Sequence, residues 1–321
     1  MASLNTGFPN MSNRLAMFGV TVNETIGVGK YSRVLRGRFE EKNVAIKFIN
    51  HTEKRAKFKE LFDTLLPREL TITAMMNHPF VVQNYKIIQE IPNMTVFIME
   101  YCENRDLLHL IKKKKQLTEA FAKILLRQLV DAVAYLVRSK VAHRDIKCEN
   151  VLLDGYYNVK LTDFGLARSF FDGELSNTFC GSLAYAAPEL ILQKSYNAFM
   201  SDIWAVGVVT YVMTTGNMPF DGKDETEVLT LLAKGRLSFP QEASPELRRI
   251  IKGCLEICPK KRCTTDEMIT SEFLKDTKLE VLTTMHPNMF VPQKETPPSP
   301  AQHKRGDSRK HTTSKKKKKN H

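Results

Sequence analysis

The sequence predicts an α+β chain of two lobes, a small strand-rich lobe followed by a larger helical one. Two observations predict this. Short runs rich in β-branched and aromatic residues crowd between residues 21 and 102, and helix-period apolar patterns take over after Cys102. The size agrees: 321 residues, 42% hydrophobic and 26% charged, suit one large or two ordinary globular domains. A chain of this length buries enough surface to need no disulfide or metal staple.

Residues 1–20 read as a short leader, and the lobes as 21–102 and 103–275. Strands are expected at Val20 to Ile26, Tyr31 to Arg38, Val44 to Ile49, Val81 to Ile88 and Thr95 to Tyr101. One helix interrupts them, with Phe58, Leu61, Phe62, Leu65 and Leu66 at helical spacing, continuing through Glu69 and Ile72. The lobes join near Glu100 to Asn104. Thr118 opens the helix 118–139, whose Phe121, Ile124, Leu125, Leu129, Ala132, Val133 and Leu136 share one face. Apolar pieces at 151–153 and 159–162 read as a hairpin around Gly155. Helices follow at about 199–213, 225–234 and 245–257, the last started by Ser244 before Pro245. From 276 a C-terminal extension begins. Beyond about 290 it loses apolar periodicity and fills with Pro, Ser, Thr and Lys, the composition of a disordered tail.

The net charge of +13 divides unevenly, with +8 in residues 291–321 and +5 in all that precedes them. Charge therefore speaks of the tail. Lys315 to Lys319 read as a solvated run or a nuclear-import address; no aromatic residues interleave to stack on nucleic-acid bases. Lys112 to Lys115 read as an exposed loop face. No membrane span is expected, because the most apolar stretch, Trp204 to Met213, falls short of the roughly 18 residues a bilayer demands. The N-terminus lacks a secretory pattern, and Ala2 removes the myristoylation motif. Six cysteines stand singly, and Cys254, Cys258 and Cys263 lack the CxxC spacing of a metal site. Reduced thiols in cytosol or nucleus are the expectation.

The chemistry lies in an ordered series of motifs. Gly27-Val28-Gly29-Lys30-Tyr31-Ser32-Arg33-Val34 sits between two strands, where glycines let backbone N–H groups approach phosphates. A dinucleotide-binding fold would need a helix there instead. Val44-Ala45-Ile46-Lys47 puts a lysine on an apolar strand, either an edge residue, which is its reading in isolation, or a fixed charge aimed into the cleft at phosphate oxygens. His143-Arg144-Asp145-Ile146-Lys147-Cys148-Glu149-Asn150 follows, then Asp163-Phe164-Gly165 and Ala187-Pro188-Glu189. Five pieces in this order and spacing resemble the protein-kinase signature.

That resemblance implies the bilobal kinase fold, ATP and Mg²⁺, and transfer of the γ-phosphate to protein hydroxyls. Phosphoryl transfer asks for in-line positioning and neutralised charge. It makes Asp145 the group that orients the substrate hydroxyl, with Asn150 and Asp163 as oxygen donors to Mg²⁺. Lys47 would hold the α- and β-phosphates and be oriented by a helix carboxylate, Glu69 or else Glu60. Lys147 is typical of Ser/Thr kinases, where it meets the transferred phosphate. Ile26 through Val34 would cover the triphosphate. Ala45, Val34, Met99 and Leu152 would sandwich the adenine, with backbone groups of Glu100 and Cys102 at its edge and Asp106 toward the ribose. Arg144 beside Asp145 suggests an activation segment ordered by phosphate, with Thr178 the phosphosite, through an upstream kinase or autophosphorylation. Ser182 would contact Asp145 and Lys147, Glu189 would pair with Arg262, and Asp202 would brace the catalytic loop.

Lys147-Cys148-Glu149-Asn150, residues 178–189 and residues 211–222 resemble the testis-specific serine/threonine kinases, of the calcium/calmodulin-dependent-kinase-like group. This implies a monomeric enzyme of spermatid development. Glu149 and Asp106 would then favour substrates with Arg upstream of the phosphoacceptor. Three positions depart from the general pattern. Ser32 replaces a glycine, and Thr73 and Asn84 stand where large apolar residues usually stack toward His143 and Phe164. The two polar groups either bond each other or leave a weak stack. The alternative from another class is a pseudokinase scaffold, against which Lys47, Asp145, Asn150 and Asp163 all stand.

Overall fold

The computed structural model describes residues 11–29, 32–51, 59–235 and 237–284. The expectations for Lys30, Tyr31, Phe58 and the Lys-rich tail lie outside them. Strands β1 (Val20–Val28), β2 (Ser32–Phe39), β3 (Lys42–Asn50), β4 (Asn84–Ile88) and β5 (Met94–Glu100) form an antiparallel sheet in the order β1-β2-β3-β5-β4. Strand alternation divides β3. Val44, Ile46 and Phe48 join Leu35, Ile88, Val96 and Ile98 in a buried cluster on one face. Ala45 and Lys47 point to the other.

The leader is more than a leader. Residues 11–16 form helix α1 (Met11–Ala16), whose Met11 and Leu15 are buried in that same cluster. The fourth strand is shorter than its apolar run predicts. Val81 bridges Leu161, and the Val82 N–H donates to the Leu161 carbonyl at 2.9 Å, so this segment stitches the two lobes together before β4 begins. Between β3 and β4 a π-helical turn (Leu61–Leu65) runs into α2 (Leu66–Met75), where Pro67 sits in the first turn and forfeits no needed hydrogen bond. Phe62 and Leu66 pack against Ile49 and Phe97, which fixes the helix phase and turns Glu69 inward.

The second lobe comprises α3 (Leu107–Lys114), α4 (Glu119–Arg138), β6 (Val141–Ala142), β7 (Val151–Leu153), β8 (Val159–Leu161), β9 (Arg168–Ser169), α5 (Pro188–Ile191), α6 (Ala198–Thr215), α7 (Glu225–Lys234), α8 (Pro245–Cys254) and α9 (Thr265–Thr270). Thr118, Asn197, Asp224 and Ser244 accept backbone N–H groups as N-caps of α4, α6, α7 and α8. Lys112, Lys113 and Lys114 form the last turn of α3, not a loop; cations suit that end of a helix. Helix α8 stops at Cys254, earlier than predicted.

Helix α6 is long and apolar enough to cross a bilayer, but 83% of it is buried inside the fold, Trp204 and Asp202 included. It is the axis of the lobe. At the far end, the buried Asn158 amide grips the backbone of Leu282, accepting its N–H at 2.7 Å and donating to its carbonyl at 2.9 Å. The start of the C-terminal extension is thus packed onto the lobe.

Candidate active site

The phase of β3 and the phase of α2 converge on one cation. Lys47 Nζ lies 2.7 Å from Glu69 Oε1 and 3.3 Å from Asp163 Oδ1, while Glu60 is exposed. Burial pulls the Lys47 ammonium toward neutrality, but the two carboxylates outweigh it and hold the group above its usual range. Asp163 is held below the usual carboxylate range chiefly by Lys47, against the effect of burial. Its backbone is left-handed, φ 66°, a conformation non-glycine residues seldom take. Phe164 behind it is buried against the His143 ring, centroids 5.0 Å apart.

The loop after β6 carries the second group of functional residues. Lys147 Nζ meets Asp145 Oδ2 at 2.6 Å and Ser182 Oγ at 3.1 Å; Ser182 Oγ donates to Asp145 Oδ1 at 3.3 Å. The Asn150 amide nitrogen donates to the Asp145 carbonyl at 2.8 Å and to its Oδ2 at 3.0 Å. Both donations are spent on Asp145, which leaves the Asn150 amide oxygen as its donor atom for a cation. With the Asp163 carboxylate it makes a hard oxygen pair, which fits Mg²⁺.

Asp202 on α6 holds this loop from below. Its carboxylate accepts the His143 N–H at 2.7 Å and the Arg144 N–H at 2.8 Å. Burial pushes its carboxyl up to about 7, against the pull of those two bonds. Gly181 lets the activation segment cross close above: with φ 95°, a Cβ there would lie 2.7 Å from the Arg144 carbonyl. Glu189 and Arg262 form a buried bidentate pair at 2.8 and 3.0 Å, and Arg262 also donates to the Met200 carbonyl at 2.7 Å.

Strand register sets the positions of the residues expected at the nucleotide. Gly27 pairs with Val34, Val34 with Lys47, and Ala45 with Met99. Ile26, Val28 and Gly29 are exposed at the end of β1, and Gly29 closes a turn by donating to the Ser32 carbonyl at 2.8 Å. Ser32 and Arg33 open β2. Leu152 bridges Asp106, and Cys102 is buried between the lobes. Two expectations need amending. The Glu100 N–H is committed to the Gln83 carbonyl at 2.8 Å, so only its carbonyl can serve a ligand. Asp106 Oδ1 accepts the His109 N–H at 2.7 Å as N-cap of α3, which leaves one oxygen for any ribose.

Thr178 is exposed, its N–H turned to Ser176 Oγ and its carbonyl accepting from the Tyr196 hydroxyl at 2.9 Å. Close by, Arg144 donates to the Leu166 carbonyl at 2.8 Å and reaches Ser176 Oγ at 3.4 Å. Sequence reasoning missed Arg68 and Arg168. Arg68 lies close enough to both Arg168 and Arg144 that, after burial, their charges hold its guanidinium below its usual range. Neither residue stands in a local pattern; only the tertiary fold brings them together.

Known proteins carry the same design. Residues 20–274 match the protein kinase domain. The chain is 38% identical to testis-specific serine/threonine-protein kinase 3 of Mus musculus, over 77% of this chain and 92% of that protein. It is 37% identical to testis-specific serine/threonine-protein kinase 2 of Mus musculus, over 81% and 74%. It is 35% identical to probable serine/threonine-protein kinase MARK-A of Dictyostelium discoideum, over 81% of this chain but only 24% of that longer protein. With the motifs, the two-lobed fold and these relatives in agreement, the chain belongs to the protein kinase family, in its serine/threonine branch.

Proposed function

We propose that the chain phosphorylates serine and threonine in proteins of developing male germ cells, and that phosphate on Thr178 switches it on. The observation that carries the catalytic part is one arrangement: Lys47 clamped by Glu69 and Asp163, facing Asp145 tied to Lys147 and Asn150. Asp145 orients the acceptor hydroxyl and takes its proton as the oxygen–phosphorus bond forms. The bond to the leaving ADP oxygen breaks, and Lys147 and Lys47 offset the charge. Magnesium, when bound by Asn150 and Asp163, supplies charge neutralisation of the triphosphate.

The switch is supported by the proximity of Arg68 to Arg144 and Arg168, and by Ser176 Oγ, which both Arg144 and the Thr178 N–H reach. Arg168 is already paired with Glu174, whereas Arg68 and Arg144 repel each other until a dianion joins them, and a phosphate adds charge-assisted bonds there. Glu149 is exposed and its carboxylate accepts from the Tyr185 hydroxyl at 3.4 Å, which supports a preference for substrates with upstream Arg. The germ-cell setting is supported by the testis-specific relatives. Cytosolic action, with the Lys-rich tail as a nuclear address and the chain working as a monomer, completes the proposal.

Thr178→Ala tests the switch. A basic peptide substrate should be phosphorylated at least about tenfold more slowly, the equivalent of about 1.4 kcal/mol of lost ordering. An unchanged rate, with Thr178 phosphorylated in the parent protein, would sink it.

A further inference from the structure

Outside the active site, two cysteine thiols stand in contact. Cys254 ends α8, Cys263 precedes α9, and their sulfurs are 3.5 Å apart. The backbone fixes the two stretches together, because the Cys263 N–H donates to the Gly253 carbonyl at 3.1 Å. The thiols differ in access. Cys254 is 1% exposed, with the Met268 sulfur 3.7 Å away. Cys263 is half-buried and lines an open cavity of about 210 Å³ with Ile250, Gly253, Glu267 and Phe273.

We propose that Cys254 and Cys263 are a peroxide-sensitive pair that closes to a disulfide and acts on the activation segment through Arg262. The hydrogen bond shared with Cys254 holds the Cys263 thiol below the ordinary thiol range, against burial, while that bond and burial push Cys254 up. Cys263 is the sulfur that peroxide reaches from the cavity while Cys254 is buried, and the thiolate is the oxidisable form. Cys263 thiolate attacks hydrogen peroxide, forming an S–O bond as the O–O bond breaks and hydroxide leaves. Cys254 loses its proton to solvent and attacks Cys263 Sγ. An S–S bond forms and a second hydroxide leaves. Two thiols and one peroxide give one disulfide and two waters, a two-electron oxidation.

Closing the pair to a disulfide length of about 2.05 Å draws the sulfurs together by roughly 1.5 Å. The neighbour of Cys263 is Arg262, whose buried guanidinium holds Glu189 at the end of the activation segment. Backbone motion at 263 is passed to that pair, so oxidation loosens the segment without touching the active site. In a reducing compartment such a disulfide is transient, as suits a sensor.

The full chain should be treated with hydrogen peroxide, alkylated, digested and analysed by mass spectrometry, beside peptide phosphorylation before and after dithiothreitol. The expected result is a 254–263 cross-linked peptide pair two hydrogens lighter, with the rate more than halved and both effects reversed by reductant. Cys263→Ala, checked for an unchanged melting temperature, should lose the cross-link and keep its rate. Two thiols that stay alkylatable, or Cys258 taking the place of either, overturn the pair. An unchanged rate with the disulfide formed, or an equal fall in Cys263→Ala, overturns the route through Arg262.

Discussion

Asn84 opens β4 beside Met99 of β5, and its side-chain oxygen is buried without a hydrogen-bond partner. The Thr73 side chain does not supply one, so this amide oxygen is one of two such orphaned side-chain atoms among the described residues. A buried acceptor left unmade costs about 1–3 kcal/mol of desolvation. Helix α2, which carries Glu69 to Lys47, packs against β4. The docked helix therefore carries a cost that an opened one, with water reaching Asn84, does not. Asn84→Leu keeps the branching and replaces the amide by methyl groups. Stability should rise by about 1–2 kcal/mol, which lifts the melting midpoint by about 2–8 °C in a domain of this size. The same free energy biases α2 toward its docked position, so the basal rate on a peptide should rise up to about 5–30-fold. Differential scanning calorimetry and a steady-state peptide assay on unphosphorylated protein read the two effects. A midpoint unchanged or lowered, with no gain in rate, would refute the reasoning.

Other outcomes follow from the same geometry. Glu189→Gln leaves Arg262 charged, with 0% side-chain exposure, and without its carboxylate; urea unfolding should show a loss of about 3–5 kcal/mol, and a loss below about 1 kcal/mol contradicts it. Burial holds His143 and His78 below 6.5, so below that pH these two rings bind fewer protons in the folded chain than in the unfolded one. Their contribution is full above 6.5 and is lost as pH falls through the folded values, by at most about 1.4 kcal/mol per pH unit for each. Asp202, raised to about 7, works the other way over the same range. The test is therefore a difference: from about pH 7.5 to about pH 5 the parent should lose stability relative to His143→Tyr, and parallel urea-unfolding profiles would contradict it.

Much of this was legible in one dimension because the chemistry is local. Asp145, Lys147 and Asn150 lie on one loop, so their spacing predicts their contact. Lys47 was legible only through the ordered set of motifs, because a lysine on an apolar strand reads in isolation as an edge residue. Other features were hidden because they need distant segments. Nothing near Arg68 or Arg168 in sequence says that they meet Arg144. The leader reading overlooked α1, since six residues give too little periodicity to register, and only the outer face of the sheet explains Met11 and Leu15. Asp106 and Glu100 were legible as residues of the cleft, but their backbone commitments come from the cap of α3 and the crossing at Gln83. The contact of Cys254 with Cys263 depends on how the turn after α8 folds back, which no local spacing records.

In the proposed reaction Asp145 orients the acceptor hydroxyl. Asp145→Asn keeps the volume and the Asn150 contact while removing the charge. Transfer of the γ-phosphate of ATP to a peptide serine, followed with Mg²⁺ present, should fall by about 10²–10⁴-fold, with the melting temperature held near that of the parent. Equal transfer by parent and variant, or no transfer by the parent phosphorylated at Thr178, would contradict it.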